Sequence, residues 1–123
     1  MINKRKTGDN YETLACAYIT AQGGCILQRN FRIRSGEIDI IARDGRYLVF
    51  AEVKYRSGER FGSAEDAVTL SKQRVICKCA DYYRLINHMD EFTPVRFDVL
   101  AVSPDEDGML QVKWIRDAFS YRR

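Results

Sequence analysis

Apolar residues open the chain with the period of a helix. From about Asp9 to Gln22, Tyr11, Leu14, Ala15, Tyr18 and Gln22 fall at i, i+3, i+4, i+7 and i+11, and Gly23-Gly24 supplies a stop. The period then shortens toward two. Cys25–Ile33, Glu37–Arg43 and Arg46–Tyr55 read as three strands, the last two joined through Asp44-Gly45, a strong hairpin signal because a type I′ turn needs positive φ at both central residues. A Gly/Ser/Arg-rich loop, "SGERFGSAED", precedes a second helical run from about Ser71 to Asn87. Val75, Ile76, Cys79, Ala80, Tyr83 and Ile86 share one face of that run, with Lys72, Arg74, Lys78 and Arg84 largely off it. "VRFDVLAV" and "LQVKWI", separated by "SPDEDG", close the pattern as two more strands. The order αβββαββ predicts an α/β domain, a mixed sheet with helices packed on it.

Composition narrows the class. The 123 residues, 46% hydrophobic and 30% charged, suffice for one domain with its own core. The polar start "MINKRKTGDNYE" is unlike a secretory leader, and no apolar run approaches the roughly 20 residues that span a bilayer, so a cytoplasmic protein without a membrane segment is expected. Cys16, Cys25, Cys77 and Cys79 are expected as reduced thiols in or near the core. "CKC" on a helix points its sulfurs about 200° apart and no second pair completes a zinc site. Net charge is only +3, yet it is unevenly spread. Residues 1–34 carry six Lys/Arg against two acids and 71–88 four against one, whereas 35–70 and 89–123 each carry five against seven. Basic segments flanking an acidic one suit a site that grips phosphate at its rim and a cation at its centre. A solvated charged surface is the plainer reading of the same pattern.

The chemistry sits in the hairpin. With Asp44 and Gly45 as the loop residues, Glu37 faces Glu52 and Asp39 lies diagonal to it, so Glu37, Asp39, Glu52 and Lys54 converge on one side. Ile38, Ile40, Val49, Ala51 and Val53 take the other. Facing carboxylates repel and are costly to desolvate unless a cation lies between them. Oxygen donors favour a hard ion, Mg²⁺ or Mn²⁺, with Lys54 placed to orient water or to stabilise charge on a phosphorane. An exposed hairpin face that merely alternates charge explains the same residues, at about 0–1 kcal/mol for a Glu52–Lys54 pair.

Resemblance favours the first reading. "EID", followed after twelve residues by "EVK", resembles the bipartite motif of the PD-(D/E)xK nuclease superfamily. "NFRIRSGEIDIIARDGRYLVFAEVKYR", "RFGSAEDAV", "KQR" and "RFDVLAV" together resemble the YraN family of small bacterial predicted endonucleases, relatives of archaeal Holliday-junction resolvases. The likeness implies a restriction-endonuclease-like sheet. It implies Asp39 as the metal-binding aspartate, Glu52 as the second acid and Lys54 as the catalytic lysine; Glu37, where the superfamily motif requires no acid, is read as a further metal ligand or a partner of Lys54. Glu12 matches an acid that joins the resolvase site from the first helix. Its other reading is Asp9-x-x-Glu12 as a capping box, with Glu12 bonding backbone amides. The family usually shows a glycine before that acid, where this chain has Tyr11.

The expected partner is DNA, its phosphates gripped by Lys4, Arg5, Lys6, Arg32, Arg34, Lys72 and Arg74. A homodimer would let two sites cut two strands symmetrically. No organic cofactor is called for. A non-catalytic module that keeps the fold and binds nucleic acid or protein is the alternative, although it would have no chemical need of Asp39, Glu52 and Lys54 together. Asp98 is expected to pair with Arg96 or Arg74 outside the site, His88 to be a surface residue, and Trp114, Tyr82, Tyr83 and Tyr121 to be core or interface, with exposed rings able to stack on unpaired bases.

Overall fold

A computed structural model describes residues 4–57 and 68–123, with side chains from residue 10 onward. The elements follow the expected order: α1 (Lys4–Ala21), β1 (Cys25–Ile33), β2 (Gly36–Asp44), β3 (Tyr47–Tyr55), α2 (Leu70–Ile86), β4 (Val95–Pro104) and β5 (Leu110–Phe119). The five strands form one sheet in sequence order. β1, β2 and β3 are an antiparallel meander, β4 lies parallel to β3 after the α2 crossover, and β5 returns antiparallel to β4. The loop "SGERFGSAED" lies almost wholly outside the described residues. Among the described residues no helix is long and apolar enough to cross a membrane.

Each face of the sheet carries one core. Ala15 and Ile19 of α1 meet Ile40, Ala42, Val49, Ala51, Leu100 and Trp114 on one side. Ile76, Cys77, Cys79, Ala80 and Tyr83 of α2 meet Ile41, Leu48, Phe50, Phe97 and Val99 on the other. All four cysteines are free thiols, Cys77 and Cys79 buried in the second core. α2 starts where Thr69 accepts the Lys72 amide on its side-chain oxygen at 3.2 Å, satisfying one of the donors a helix start leaves open. Its buried face is rotated from the one expected: Gln73 and Cys77 are inside, and Ile86 is 47% exposed. Gly36 allows the close approach, since a Cβ there would run into the Val75 side chain.

Three further expectations change, in α1 and β2. α1 begins at Lys4 rather than near Asp9, because polar Lys4–Asp9 extends the helix with no apolar period to reveal it. Glu12 therefore lies well inside the helix, beyond reach of its first amides, and the capping-box reading fails. The β2–β3 turn is Gly45-Arg46: Asp44 pairs with Tyr47 and Ile40 with Ala51, a two-residue shift of register. Only Gly45 has positive φ (60°), as a type II′ turn requires. Asp44 is kept in the strand by its carboxylate, which accepts from Arg96 at 2.7 Å and Arg116 at 3.2 Å. A two-residue shift preserves faces, so the grouping of Asp39 with Glu52 and Lys54 survives, but the register now runs Asp39 toward Glu52, one step past the last ladder pair Ile40–Ala51, and no longer sets Glu37 against Glu52.

The third change is local. Ile38 joins the α2-side core with Ile41, whereas Ile40 packs on the α1 side, so alternation slips once, at Asp39. Asn30, which would pair with Asp39 by the register of Arg29–Ile40 and Phe31–Ile38, turns left-handed at φ 54°. The ladder opens on both sides of one aspartate.

At the far end of the sheet, Asp98 is fully buried and pairs with Arg96 as expected. It also accepts from Trp114 Nε1 at 2.8 Å and from the Asp117 amide at 2.9 Å. Asp117, at φ 55°, carries β5 on to buried Ala118 and Phe119, past the Ile115 limit read from the pattern.

Candidate active site

The α2-side row of β3 runs Leu48, Phe50, Glu52, Lys54, and Asp39, next in β2 to α1-side Ile40, meets this row where the apolar residues end. Asp39 Oδ2 accepts the Val53 amide at 2.8 Å, so a side chain takes the place of a ladder bond and is held rigid by it. Glu52 is only 6% exposed. Its Oε1 lies 3.6 Å from Lys54 Nζ, and its Oε2 is buried without a hydrogen-bond partner among the described residues.

The electrostatics follow from that geometry. Burial, then repulsion from Asp39, pushes the Glu52 carboxyl up to about 7, against the pull of Lys72 and Lys54. Asp39 is also raised, by burial first; the Val53 amide opposes this, Glu37 adds to it, and Lys72 and Lys54 offset it. Two facing acids titrate as a pair, and a cation between them would compete with the proton that their repulsion favours.

Asp39, Glu52 and Lys54 thus come together as expected. Lys72, on the first turn of α2, acts on both acids through its charge. Glu37 stands at the edge, its Oε2 accepting from Arg32 Nε at 2.8 Å. Glu12, on α1, has a buried Oε1 and acts on the Cys16 thiol. Beside it, Tyr11 stacks on Tyr55 with ring centroids 4.6 Å apart, so the helix approach that a glycine would allow is made here by two rings. Arg34 and Arg74 are exposed; the side chains of Lys4, Arg5 and Lys6 lie outside the described residues. His88 is exposed just beyond α2.

Among the described residues no three His, Cys, Asp or Glu side chains gather at metal-binding spacing. The candidate donors are Asp39 and Glu52. Two carboxylates, one with a buried oxygen unpartnered among the described residues, fit a hard ion that keeps several waters and shares a phosphate, the habit of Mg²⁺.

One supporting residue escaped the sequence reading. Gln73 is buried; its Nε2 donates to the Val68 carbonyl at 2.9 Å and its Oε1 accepts from Arg122 Nε at 2.7 Å. It anchors the start of α2, and with it Lys72, to the C-terminal segment. The available signal was a polar residue at the head of the buried stripe formed with Ile76, Cys77 and Ala80.

Residues 11–102 match the model described as "Uncharacterised protein family UPF0102". A UPF0102 protein of Lachnoclostridium phytofermentans is 47% identical over 118 residues, 96% of each chain. One of Symbiobacterium thermophilum is 47% identical over 115 residues, 94% of this chain and 97% of its own. Another, of Nitrosococcus oceani, is 42% identical over 115 residues, 94% and 92% of the two chains.

Proposed function

The chain belongs to the UPF0102 family, and we propose that it is a metal-dependent endonuclease hydrolysing DNA phosphodiester bonds at Asp39, Glu52 and Lys54. One observation carries this reading: a buried Glu52 facing Asp39, one oxygen unpartnered among the described residues and the other 3.6 Å from a lysine ammonium. A solvated charged face would leave those acids in water. The likeness of "EID" and "EVK" to the PD-(D/E)xK motif supports the same conclusion.

A hard divalent ion, Mg²⁺ or Mn²⁺, held by Asp39 and Glu52 would supply positive charge at a phosphate oxygen and a water acidic enough to attack near neutral pH. The chain's own groups set the geometry. Val53 fixes the Asp39 carboxylate through its amide. Lys54, 31% exposed, reaches the open side of the cleft, where its ammonium orients the attacking water and opposes charge growing on the phosphoryl oxygens. Lys72 adds a second positive charge, lowering the repulsion an anionic strand meets from two acids. Phe50 and the core behind it close the site from below.

The test is a cleavage assay on duplex, single-stranded and four-way-junction DNA with Mg²⁺ or Mn²⁺. Native protein should cut at least one substrate, and Glu52→Gln should not. Lys54→Ala should bind DNA nearly as well as native protein and lose cleavage, since its role lies in the transition state. Equal cleavage by native protein and Glu52→Gln would overturn the reading, as would no cleavage of any substrate by native protein.

A further inference from the structure

α2 presents Arg74, Lys78 and Tyr82 at i, i+4 and i+8, a solvent-facing stripe away from the core. On either side of Lys78 lies a cleft. One, of about 420 Å³, is walled by the β1–β2 turn, with Arg32 and Arg34 opposite Tyr82. The other, of about 490 Å³, is walled by the C-terminal segment, with Tyr121, Arg122 and Arg123 opposite Arg74. Ser35 and Lys78 line both, so the two read as one groove crossed by a lysine. Six cations line it against one acid, Asp81, which accepts from the Tyr121 hydroxyl at 2.7 Å.

The two rings make this more than a basic patch. Tyr82 is 48% and Tyr121 47% exposed, yet neither is loose. Tyr82 leans on buried Phe31 at 6.4 Å between ring centroids, and Tyr121 on buried Phe97 at 6.5 Å. Each is a half-open aromatic surface already fixed by the core, so an added planar group meets little ordering cost. Planar surfaces flanked by guanidinium forks match a chain of bases joined by phosphates. A duplex keeps its bases stacked inside and cannot offer them to either ring. The Arg32 wall adjoins the carboxylates, since Arg32 pairs with Glu37 and Glu37 acts on Asp39.

We propose that the groove divided by Lys78 binds an unpaired stretch of polynucleotide, its bases stacking on Tyr82 and Tyr121, beside the bond that is cut. The placement beside the cut rests on the nuclease reading; the single-strand binding does not.

The test is fluorescence anisotropy of the full chain in EDTA, with labelled oligothymidylate, oligouridylate of equal length and a blunt DNA duplex. Oligothymidylate should bind more tightly than duplex. Tyr82→Ala and Tyr121→Ala should each weaken it roughly 5- to 100-fold, as loss of one base stack predicts, and change duplex binding less than twofold. Tyr82→Phe should keep native affinity. Lys78→Ala should weaken oligothymidylate binding and flatten its salt slope by about 0.7. Oligouridylate bound equally well would assign the groove to single strands of either sugar, and weaker binding would assign it to DNA. Equal affinity for duplex and single strand, or stacking variants with native melting temperature and native affinity, overturns the proposal. Single-strand binding of this pattern without cleavage would remove the nuclease reading alone. Glu52-dependent cleavage with ring-insensitive binding would remove this one alone.

Discussion

Removing the Glu52 charge should stabilise the protein at alkaline pH and do nothing at acid pH. Burial and Asp39 lift this carboxyl from 4.5 to about 7 in the fold. The folded state therefore keeps a proton that the unfolded chain has already released, and stability falls as pH rises through the window between those values. At 1.36 kcal/mol per unit, the loss across the window is about 3 kcal/mol. The group is nearly buried, so solvent screening takes little from that figure. Glu52→Gln keeps the shape and cannot ionise. Urea denaturation at pH 5, 6, 7 and 8 should show native protein losing about 2.5 kcal/mol relative to Glu52→Gln between the ends of the series, since part of the loss has already occurred at pH 5, on the order of 10 °C in melting temperature. Mg²⁺ should reverse the loss at pH 8 by mass action, about 2.7 kcal/mol at a hundredfold excess over its dissociation constant, in native protein but not in the variant. A native-minus-variant difference that is flat with pH, or that grows in favour of native protein toward pH 8, would refute the burial of a Glu52 whose charge Lys54 and Lys72 only partly offset. No Mg²⁺ effect on native protein would refute the ion site.

Two further outcomes test how the fold presents the site. Asp98→Asn should cost about 3–5 kcal/mol in urea denaturation, because it leaves half-buried Arg96 with a weakened partner and disturbs the Trp114 and Asp117 bonds of buried Asp98; a cost under 1 kcal/mol would mean the cluster is not holding β5 to β4. Gly36→Ala should destabilise by about 1–3 kcal/mol through the clash with Val75, and Gly36→Ala with Val75→Ala should recover most of it, whereas simple addition of the two single losses would place the strain elsewhere.

Periodicity and turn chemistry in the sequence by itself determined the element order and the strand span Cys25–Ile33, because apolar spacing reports burial locally and needs no partner to be read. The grouping of Asp39, Glu52 and Lys54 was legible too, since a register wrong by two residues still keeps every side chain on its face. What set the register that runs Asp39 toward Glu52 was long-range. Asp44 stays in its strand because Arg96 and Arg116, 52 and 72 residues away, claim its carboxylate. The slip that sends Ile38 to the α2 core, with Asn30 left-handed beside it, depends on both neighbouring strands at once, and a single-strand pattern has no term for that. The charge of Lys72 reaches Asp39 for the same reason: their separation in sequence is closed by a helix docking on Gly36 and anchored through Gln73 to Arg122. Local chemistry chose the functional groups, and packing between distant segments decided which of them meet.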